Sequence, residues 1–460
     1  MKLKNIEIDN FRAIKSLNLD LHPNLTVLIG DNASGKSTIL DALAIGLGAV
    51  LSHLPEAKGN DFKPSDFRVY STEVEMGQNP LFDDHIREAN SKAHYMRVAL
   101  NTVNKTLSWD RIKRLDKTKR TSEELAGIKK LGLKHLHHYL EEIIIGVQEN
   151  EAIDLPVLVY YGTERTASPI PERQGKFQEM FSRFDALNNA LNSKAHFRTA
   201  VEWFIAKENE ELRVGRAQRN VDYSLPELRT VRQAVEQIIR GCKNLRSESH
   251  PPRLLIDFQN QADSSNQTNS AALVTLDLFQ LSDGFRSLLA LVIDLARRMT
   301  QANPHLDNPL TSEAIVLIDE IDLHLHPKWQ QTVLGDLMRV FENTQFIVTT
   351  HSPQVLSTIH KENIWILNYD EQEGILPLRP IAEPYGTESN ETLHSLMNVD
   401  PCPRHLPEVQ DYKKYLSLVN DGEYDTKEAV ELRKKLSTVF QEDYFTMVDM
   451  MIRKYKVLGL

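Results

Sequence analysis

The stretch that most constrains this chain is residues 30–38, Gly-Asp-Asn-Ala-Ser-Gly-Lys-Ser-Thr. The apolar run 25–29 before it predicts a buried strand, and the apolar segment 39–47 after it predicts a helix. A strand, a glycine-rich turn and Gly-Lys-Ser at a helix start form a P-loop, which binds nucleotide phosphates. A turn with nothing bound would not explain Lys36, because the helix dipole disfavours a cation at a helix N-terminus.

The chemistry of the P-loop explains its spacing. Gly30 and Gly35 let the backbone curl until successive N–H groups face a phosphate, and the helix N-terminus adds partial positive charge. The Lys36 ammonium reaches the β- and γ-phosphates, and the Ser37 hydroxyl holds Mg²⁺. The predicted nucleotide-binding residues of the loop are Gly30, Asn32, Ala33, Ser34, Gly35, Lys36, Ser37 and Thr38.

Composition limits the class of protein. At 460 residues we expect about two to three domains. A net charge of −10 argues against nucleic-acid binding over the whole surface, although it allows a local basic groove. The two cysteines, Cys242 and Cys402, are far apart, so neither a disulfide framework nor a zinc site is expected. The charged segment 1–8 is not typical of a signal peptide, and no apolar run is long enough to span a membrane, so we expect a cytoplasmic protein.

Three further segments complete a candidate catalytic site. The buried strand predicted over 314–318 ends in Asp319 and Glu320, and buried carboxylates are costly unless they meet a cation. Beside Mg²⁺ and ATP, Asp319 would assist the metal and Glu320 would act as general base. Leu-Ser-Asp-Gly-Phe at 281–285 opens an apolar helix, although serine and glycine are also ordinary helix-cap residues. His351 follows a predicted strand over 345–350.

The order of these elements resembles the RecF/SMC branch of the ABC-type ATPases, as does the opening Asn10-Phe11-Arg12 between two predicted strands. The resemblance covers residues 1–50 and 254–367. It implies an α/β fold: an ABC-type ATPase head with a mixed sheet carrying the P-loop, an antiparallel β subdomain and a helical lobe. An inserted α+β region and a helical C-terminal region would complete the chain. The predicted domains are ATPase lobe I (1–50), the insertion (51–153), a return strand with a helical segment (154–253), ATPase lobe II (254–367) and a mainly helical interaction region (368–460).

The resemblance also implies further site residues and partners. Arg12 would approach the nucleotide and His351 would contact the γ-phosphate. The signature residues Ser282, Asp283 and Gly284 would serve the ATP on a partner's P-loop, so the resemblance implies a homodimer or higher homo-oligomer that uses ATP and Mg²⁺. The chain departs from the family at Ala33, where many members carry glycine. It also lacks a glutamine after the strand predicted over 155–162, where Arg165 is the substitute considered.

The compact form resembles the stand-alone ATPases of bacterial antiphage operons, the PtuA family of Septu ATPases, which occurs also with some retrons. This resemblance implies a separate HNH-type nuclease partner similar to PtuB, with nucleic acid or retron components as further partners. The sequence shows no convincing nuclease centre of its own. The alternative is a RecF-like DNA-repair or DNA-clamp ATPase. An ABC transporter subunit is disfavoured, because the long helical segment that should follow a glutamine loop is missing.

Two groups of residues allow both a functional and a structural interpretation. The segment 105–134 holds ten Lys/Arg against four Asp/Glu and includes Trp109, so it could contact nucleic acid or form a solvated face, which we favour. We expect His135, His137 and His138, which lie in a predicted helix, to be surface or core residues rather than metal ligands. We expect the same of His324 and His326, because no third metal ligand lies near them in the sequence.

Overall fold

The structure is a computed structural model that describes residues 1–74, 87–104, 107–165, 181–193, 197–249, 252–259, 273–370, 373–400, 403, 405–441 and 445–458. The strands are β1 (Leu3–Phe11), β2 (Ile14–Asp20), β3 (Leu25–Ile29), β4 (Val69–Val74), β5 (Arg87–Lys92), β6 (Tyr95–Thr102), β7 (Ser108–Arg114), β8 (Val157–Tyr161), β9 (Cys242–Ser249), β10 (Pro252–Gln259), β11 (Leu273–Asp277), β12 (Ala314–Ile318), β13 (Thr344–Thr349), β14 (Ile364–Asp370) and β15 (Gly374–Leu378). The α-helices are α1 (Lys36–His53), α2 (Lys119–Ala126), α3 (Lys134–Gln148), α4 (Phe197–Gln218), α5 (Pro226–Ile238), α6 (Asp283–Ala302), α7 (Pro327–Gln330), α8 (Val333–Val340), α9 (Pro353–Leu356), α10 (Ser389–Met397), α11 (Pro407–Asn420), α12 (Lys427–Leu436) and α13 (Thr446–Leu458).

A six-stranded mixed sheet positions the candidate site. Its order is β15-β14-β3-β13-β12-β8, and the pairs among β14, β3, β13, β12 and β8 are parallel, whereas β15 is antiparallel. Strands β3, β12 and β8 are buried at every residue, as expected for parallel strands covered on both faces. The apolar pattern over 363–367 predicts an edge strand at the position of β14. This prediction is wrong, because β15 pairs with the outer side of β14.

A four-stranded antiparallel sheet, ordered β2-β1-β6-β7, forms the second layer beside α1. The inward side chains Leu17, Leu19 and Leu21 are buried, as their alternation predicts. Strand β6 pairs with β1 from Leu3 to Asp9, so this sheet crosses the boundary predicted at residue 50. The predicted domain boundaries therefore stay a proposal, with part of 51–153 belonging to the same sheet as the N-terminus.

The helical lobe comprises α4, α5 and α6, which pack against one another and the sheet β11-β10-β9. Every residue of α6 from Ser287 to Ala302 is buried, so this helix is the centre of the lobe. Strand β9 lies where the sequence analysis predicted no strand. The polar stretch 259–270 predicts a flexible loop, and the periodicity over 177–210 predicts a helix. The loop lies outside the described residues except at Gln259, and the helical stretch falls partly outside them.

The chain divides into two compact units, Met1–Thr387 and Glu388–Leu460. The second unit is helical, as predicted, and its own core is formed by Tyr415, Val419, Ala429, Leu436, Phe445 and Val448. No helix among the described residues is both long and apolar enough to cross a membrane.

Candidate nucleotide-binding and catalytic site

The loop between β3 and α1 has the backbone geometry of a phosphate cradle. Gly30 and Gly35 have φ values of 145° and 93°. A side chain at Gly30 would overlap the carbonyl oxygen of Leu367, and one at Gly35 would overlap the side chain of Ile375. Both positions therefore require glycine, for conformation and for space.

Lys36, the first residue of α1, points its ammonium group back into the loop. Its Nζ donates to the carbonyl oxygens of Gly30 (2.9 Å) and Asp31 (2.8 Å). Burial lowers the pKa of Lys36, and the carboxylates of Asp319, Glu320 and Asp31 oppose that shift. The lysine thus lies within electrostatic reach of the acids that follow β12.

The loop also presents hydroxyl groups and a left-handed residue. Ser34 is buried, and its Oγ has no hydrogen-bond partner, as expected of a group that would bind a phosphate oxygen. Ser37 and Asn32 are exposed, and Thr38 is half-buried. Ala33 has a φ of 66°, a conformation that is strained for alanine and free for glycine.

Replacing Ala33 with glycine is expected to stabilise the protein by about 1 kcal/mol, because it removes the left-handed strain. The measurement is the urea midpoint of unfolding. Ala206→Gly, in the interior of α4, is the control and should lower stability by about 1 kcal/mol. A lower midpoint for Ala33→Gly would contradict the strained geometry.

The acids after β12 are held by the end of β13. The Thr349 hydroxyl donates to Asp319 Oδ1 (2.6 Å) and accepts from the Glu320 N–H (2.7 Å). Asp319 is buried and Glu320 is half-buried, with a φ of 49° that a non-glycine residue rarely adopts. The turn that presents Glu320 is therefore fixed by side-chain hydrogen bonds rather than by local preference.

His351 lies two residues after the end of β13, and Asp322 orders this turn. Asp322 Oδ1 accepts from the Thr350 hydroxyl (2.6 Å) and from the His351 N–H (3.4 Å). Strand β13 lies between β3 and β12, and all three strands are parallel. Their carboxyl ends therefore lie at the same end of the sheet, which is where the P-loop, the two acids and His351 follow.

The signature segment, residues 281–285, lies far along the chain from the P-loop. Ser282 and Asp283 are exposed at the start of α6, and Gly284 is buried. A side chain at Gly284 would overlap the carbonyl oxygen of His324, so the glycine allows the loop after β12 to pack on α6. Within the described part of the chain, no hydrogen bond or ion pair joins 282–284 to 30–38.

Arg12 lies at the turn between β1 and β2 with a φ of 50°. Its guanidinium pairs with Asp41 of α1 (2.6 Å) and with Asp66 (2.9 Å). Burial lowers its pKa, but these two carboxylates outweigh the effect and raise it overall. About a third of the side chain is exposed, so Arg12 is a positioned cation at the surface beside the P-loop helix.

Arg165 has a clearer place than the sequence suggested. It is 4% exposed and donates to the carbonyl oxygens of Asp319 (2.5 Å), Glu320 (2.6 Å) and Gly162 (3.1 Å). Sequence reasoning considered Arg165 only as a replacement for a glutamine. It missed the role of Thr349 altogether, and the only signal was a polar residue at the end of an apolar strand.

The structure also places the ambiguous aromatic and histidine residues. Trp109 is fully buried and its indole N–H donates to the Gly46 carbonyl (2.9 Å), so it cannot stack on a base. His326 caps α7 by accepting the Lys328 N–H at Nδ1 (3.3 Å), and His137 stacks on His53. The described residues contain no group of three metal-ligating side chains.

The donor set fits Mg²⁺ bound together with a nucleotide. Ser37 and Asp319 supply the hydroxyl and carboxylate oxygens that Mg²⁺ prefers, and Mg²⁺ keeps most of its other ligands as water and phosphate. One Asp319 oxygen accepts from Thr349, which orients the carboxylate. Ser37 and Asp319 stay the predicted metal-binding residues.

The fold and the clustered residues define an ABC-type P-loop ATPase head. A family described as "AAA domain" matches residues 5–243, more than half of the chain, and the chain belongs to this family. A second description, "AAA domain, putative AbiEii toxin, Type IV TA system", matches residues 181–357.

Two curated relatives extend over nearly the whole chain. The "Retron Ec83 probable ATPase" of Escherichia coli is 29% identical over 98% of this chain and 86% of its own length. The "Septu protein PtuA" of Bacillus mycoides is 23% identical over 99% of this chain and 54% of its own length. Among solved structures, an SMC head bound to the C-winged helix domain of ScpA is 17% identical over 82% of this chain and 98% of that chain, with a TM-score of 0.41.

Proposed function

We propose that this chain binds and hydrolyses Mg²⁺·ATP between two paired copies and thereby controls a separate nuclease in antiphage defence. The observation that carries the proposal is the shared sheet edge, where Lys36, Asp319, Glu320 and His351 follow β3, β12 and β13. A lysine, a carboxylate pair and a histidine around a phosphate cradle are suited to phosphoryl transfer.

In the proposed reaction, the Lys36 ammonium and the loop N–H groups bind the β- and γ-phosphates. The Glu320 carboxylate accepts a proton from water as the water oxygen bonds to the γ-phosphorus. The bond to the bridging oxygen breaks, and ADP leaves with that electron pair. The Asp319 carboxylate and the Ser37 hydroxyl would hold Mg²⁺, which when bound neutralises charge on the phosphate oxygens. His351 would contact the γ-phosphate from the neighbouring strand.

The exposed signature residues support the pairing of two copies. Ser282 and Asp283 are exposed at the N-terminus of α6, where a second molecule could reach them, and Asp283 also pairs with Arg286 (2.6 Å). A helix N-terminus attracts phosphate, so in the proposal each copy presents 282–284 to the nucleotide on its partner. Two ATP molecules would then lie in the dimer interface.

The retron and Septu names of the relatives support a role in defence. In the proposal, the ATP-bound oligomer restrains an HNH-type nuclease, and loss of ATP during infection releases it. Nucleic acid or retron components would join the same complex.

Replacing Ser282 with arginine is expected to leave ATP binding by a single chain intact and to abolish ATP-driven pairing. The reason is that an exposed side chain would place bulk and charge in the interface, while no cap hydrogen bond of α6 is lost. Mass photometry with ATP checks the result in a Glu320→Gln background, which should hold ATP. Lys36→Ala is the control that loses nucleotide and pairing together. Dimers of unchanged abundance in Ser282→Arg would refute pairing through this surface.

Co-purification separates the defence role from the RecF-like alternative. A small nuclease that stays bound to the tagged chain in its host supports the proposal. ATP turnover that rises when DNA is added to the isolated chain, without such a partner, supports the alternative.

A further inference from the structure

We propose that Arg165 is a positioning residue for hydrolysis, which acts by clamping the main chain of the turn that carries Glu320. The proposal rests on the ATPase function proposed above. It assigns Arg165 a contact with the protein backbone rather than with the metal or the nucleotide.

The hydrogen-bond geometry supports a backbone clamp. Two guanidinium nitrogens donate to consecutive carbonyls, Nη1 to Asp319 and Nη2 to Glu320, and Nη1 also reaches Gly162. Only an arginine has a planar fork that can satisfy two such carbonyls at once. The clamp therefore joins the end of β8 to the end of β12 across parallel neighbouring strands.

The clamp acts on a residue whose main-chain conformation is strained. Glu320 has a φ of 49°, a strained conformation for a non-glycine residue that persists only where surrounding contacts offset the strain. Thr349 fixes the Glu320 N–H and Arg165 fixes its carbonyl, so both peptide groups around the strained residue are held. That constraint fixes the direction in which the Glu320 side chain leaves the main chain.

The charge of Arg165 suits the same role. Arg165 is buried, and the carboxylates of Asp319, Asp322 and Glu320 interact favourably with its cationic side chain. A buried cation beside three acids reduces their mutual repulsion. The same side chain lines a small cavity together with Tyr161 and Asp294.

The test compares Arg165→Met and Arg165→Lys with the wild-type chain. We expect kcat for ATP to fall about 10- to 100-fold in Arg165→Met, because a misplaced base is costly, while the Kd for ATP changes less than about 3-fold. Arg165→Lys, which keeps the charge and reaches fewer carbonyls, should lie between. Arg183→Met is the matched control, since Arg183 also donates to main-chain carbonyls (Ala302 and Ile153) in another part of the unit; its kcat should not change.

A double variant decides whether Arg165 acts through Glu320. If it does, adding Arg165→Met to Glu320→Gln causes no further loss of kcat. Additive losses, or a Kd that rises as much as kcat falls, would overturn the positioning role. If Arg165→Met does not fold, the double variant of Arg165→Lys with Glu320→Gln tests whether Arg165 acts through Glu320. Normal turnover by Glu320→Gln alone would instead refute the proposed base, which is a separate outcome.

Discussion

Glu320→Gln is expected to hydrolyse ATP at least ~100-fold more slowly than the wild-type chain while binding ATP normally. Glutamine has the same shape as glutamate but cannot accept the proton of the attacking water. The main chain at 320 is held by Thr349 and Arg165, so the substitution should leave the turn in place. Steady-state phosphate release and equilibrium ATP binding measure the two quantities separately.

Because the variant keeps its ATP, it should also accumulate paired molecules in the proposed dimer. Glu342→Gln removes an exposed carboxylate near the end of α8 and is the control with unchanged turnover. A Glu320→Gln protein that hydrolyses ATP at the wild-type rate would show that another group takes the proton. A variant that no longer binds ATP would show that Glu320 also holds the nucleotide.

The central part of the site could be predicted from sequence because its signals are local. Gly30, Gly35 and Lys36 lie in one short stretch between an apolar strand and an apolar helix, and each has a chemical reason for its position. Asp319 and Glu320 stand out because acids at the end of a buried strand need a cation. In the structure, the parallel order of β3, β13 and β12 places these stretches at the same end of the sheet.

The contacts that fix this site could not be predicted in the same way. Arg165 donates to the carbonyls of Asp319 and Glu320, which lie more than 150 positions later in the chain. Every residue has a main-chain carbonyl, so the sequence cannot indicate which carbonyls accept these hydrogen bonds. Trp109 shows a second limit, since the composition of 105–134 allowed either a nucleic-acid contact or a solvated face, and neither interpretation predicted that the Trp109 side chain lies in the core. Strand β6 lies within the predicted insertion, residues 51–153, and yet it pairs with β1 in the N-terminal sheet.

The helix that begins with the signature segment depends on a buried charge cluster. Asp294 pairs with Arg297 (2.8 Å) and Arg298 (2.7 Å), and it accepts the Tyr161 hydroxyl (3.0 Å) from β8. The arginines are only 1% and 5% exposed. This cluster joins α6 to the strand that leads to Arg165, so its loss should affect the whole helical lobe.

Replacing Asp294 with asparagine is expected to destabilise the protein by about 3–5 kcal/mol, because two buried guanidinium groups lose their counter-charge. Chemical denaturation followed by circular dichroism measures the change. Glu123→Gln breaks the exposed pair with Lys119 on α2 and is the control, with an expected loss below about 1 kcal/mol.

The pH dependence of stability gives an independent check on the same cluster. Burial alone would raise the pKa of Asp294, but Arg298 and Arg297 outweigh it and lower the pKa to about 2. Because the folded pKa lies below the unfolded value of about 4, the ionised carboxylate stabilises the fold above pH ~4. That contribution is lost as the pH falls from about 4 to about 2, and Asp294→Asn should remove this part of the acid dependence. An Asp294→Asn protein with wild-type stability and an unchanged acid transition would show that the arginines find other partners.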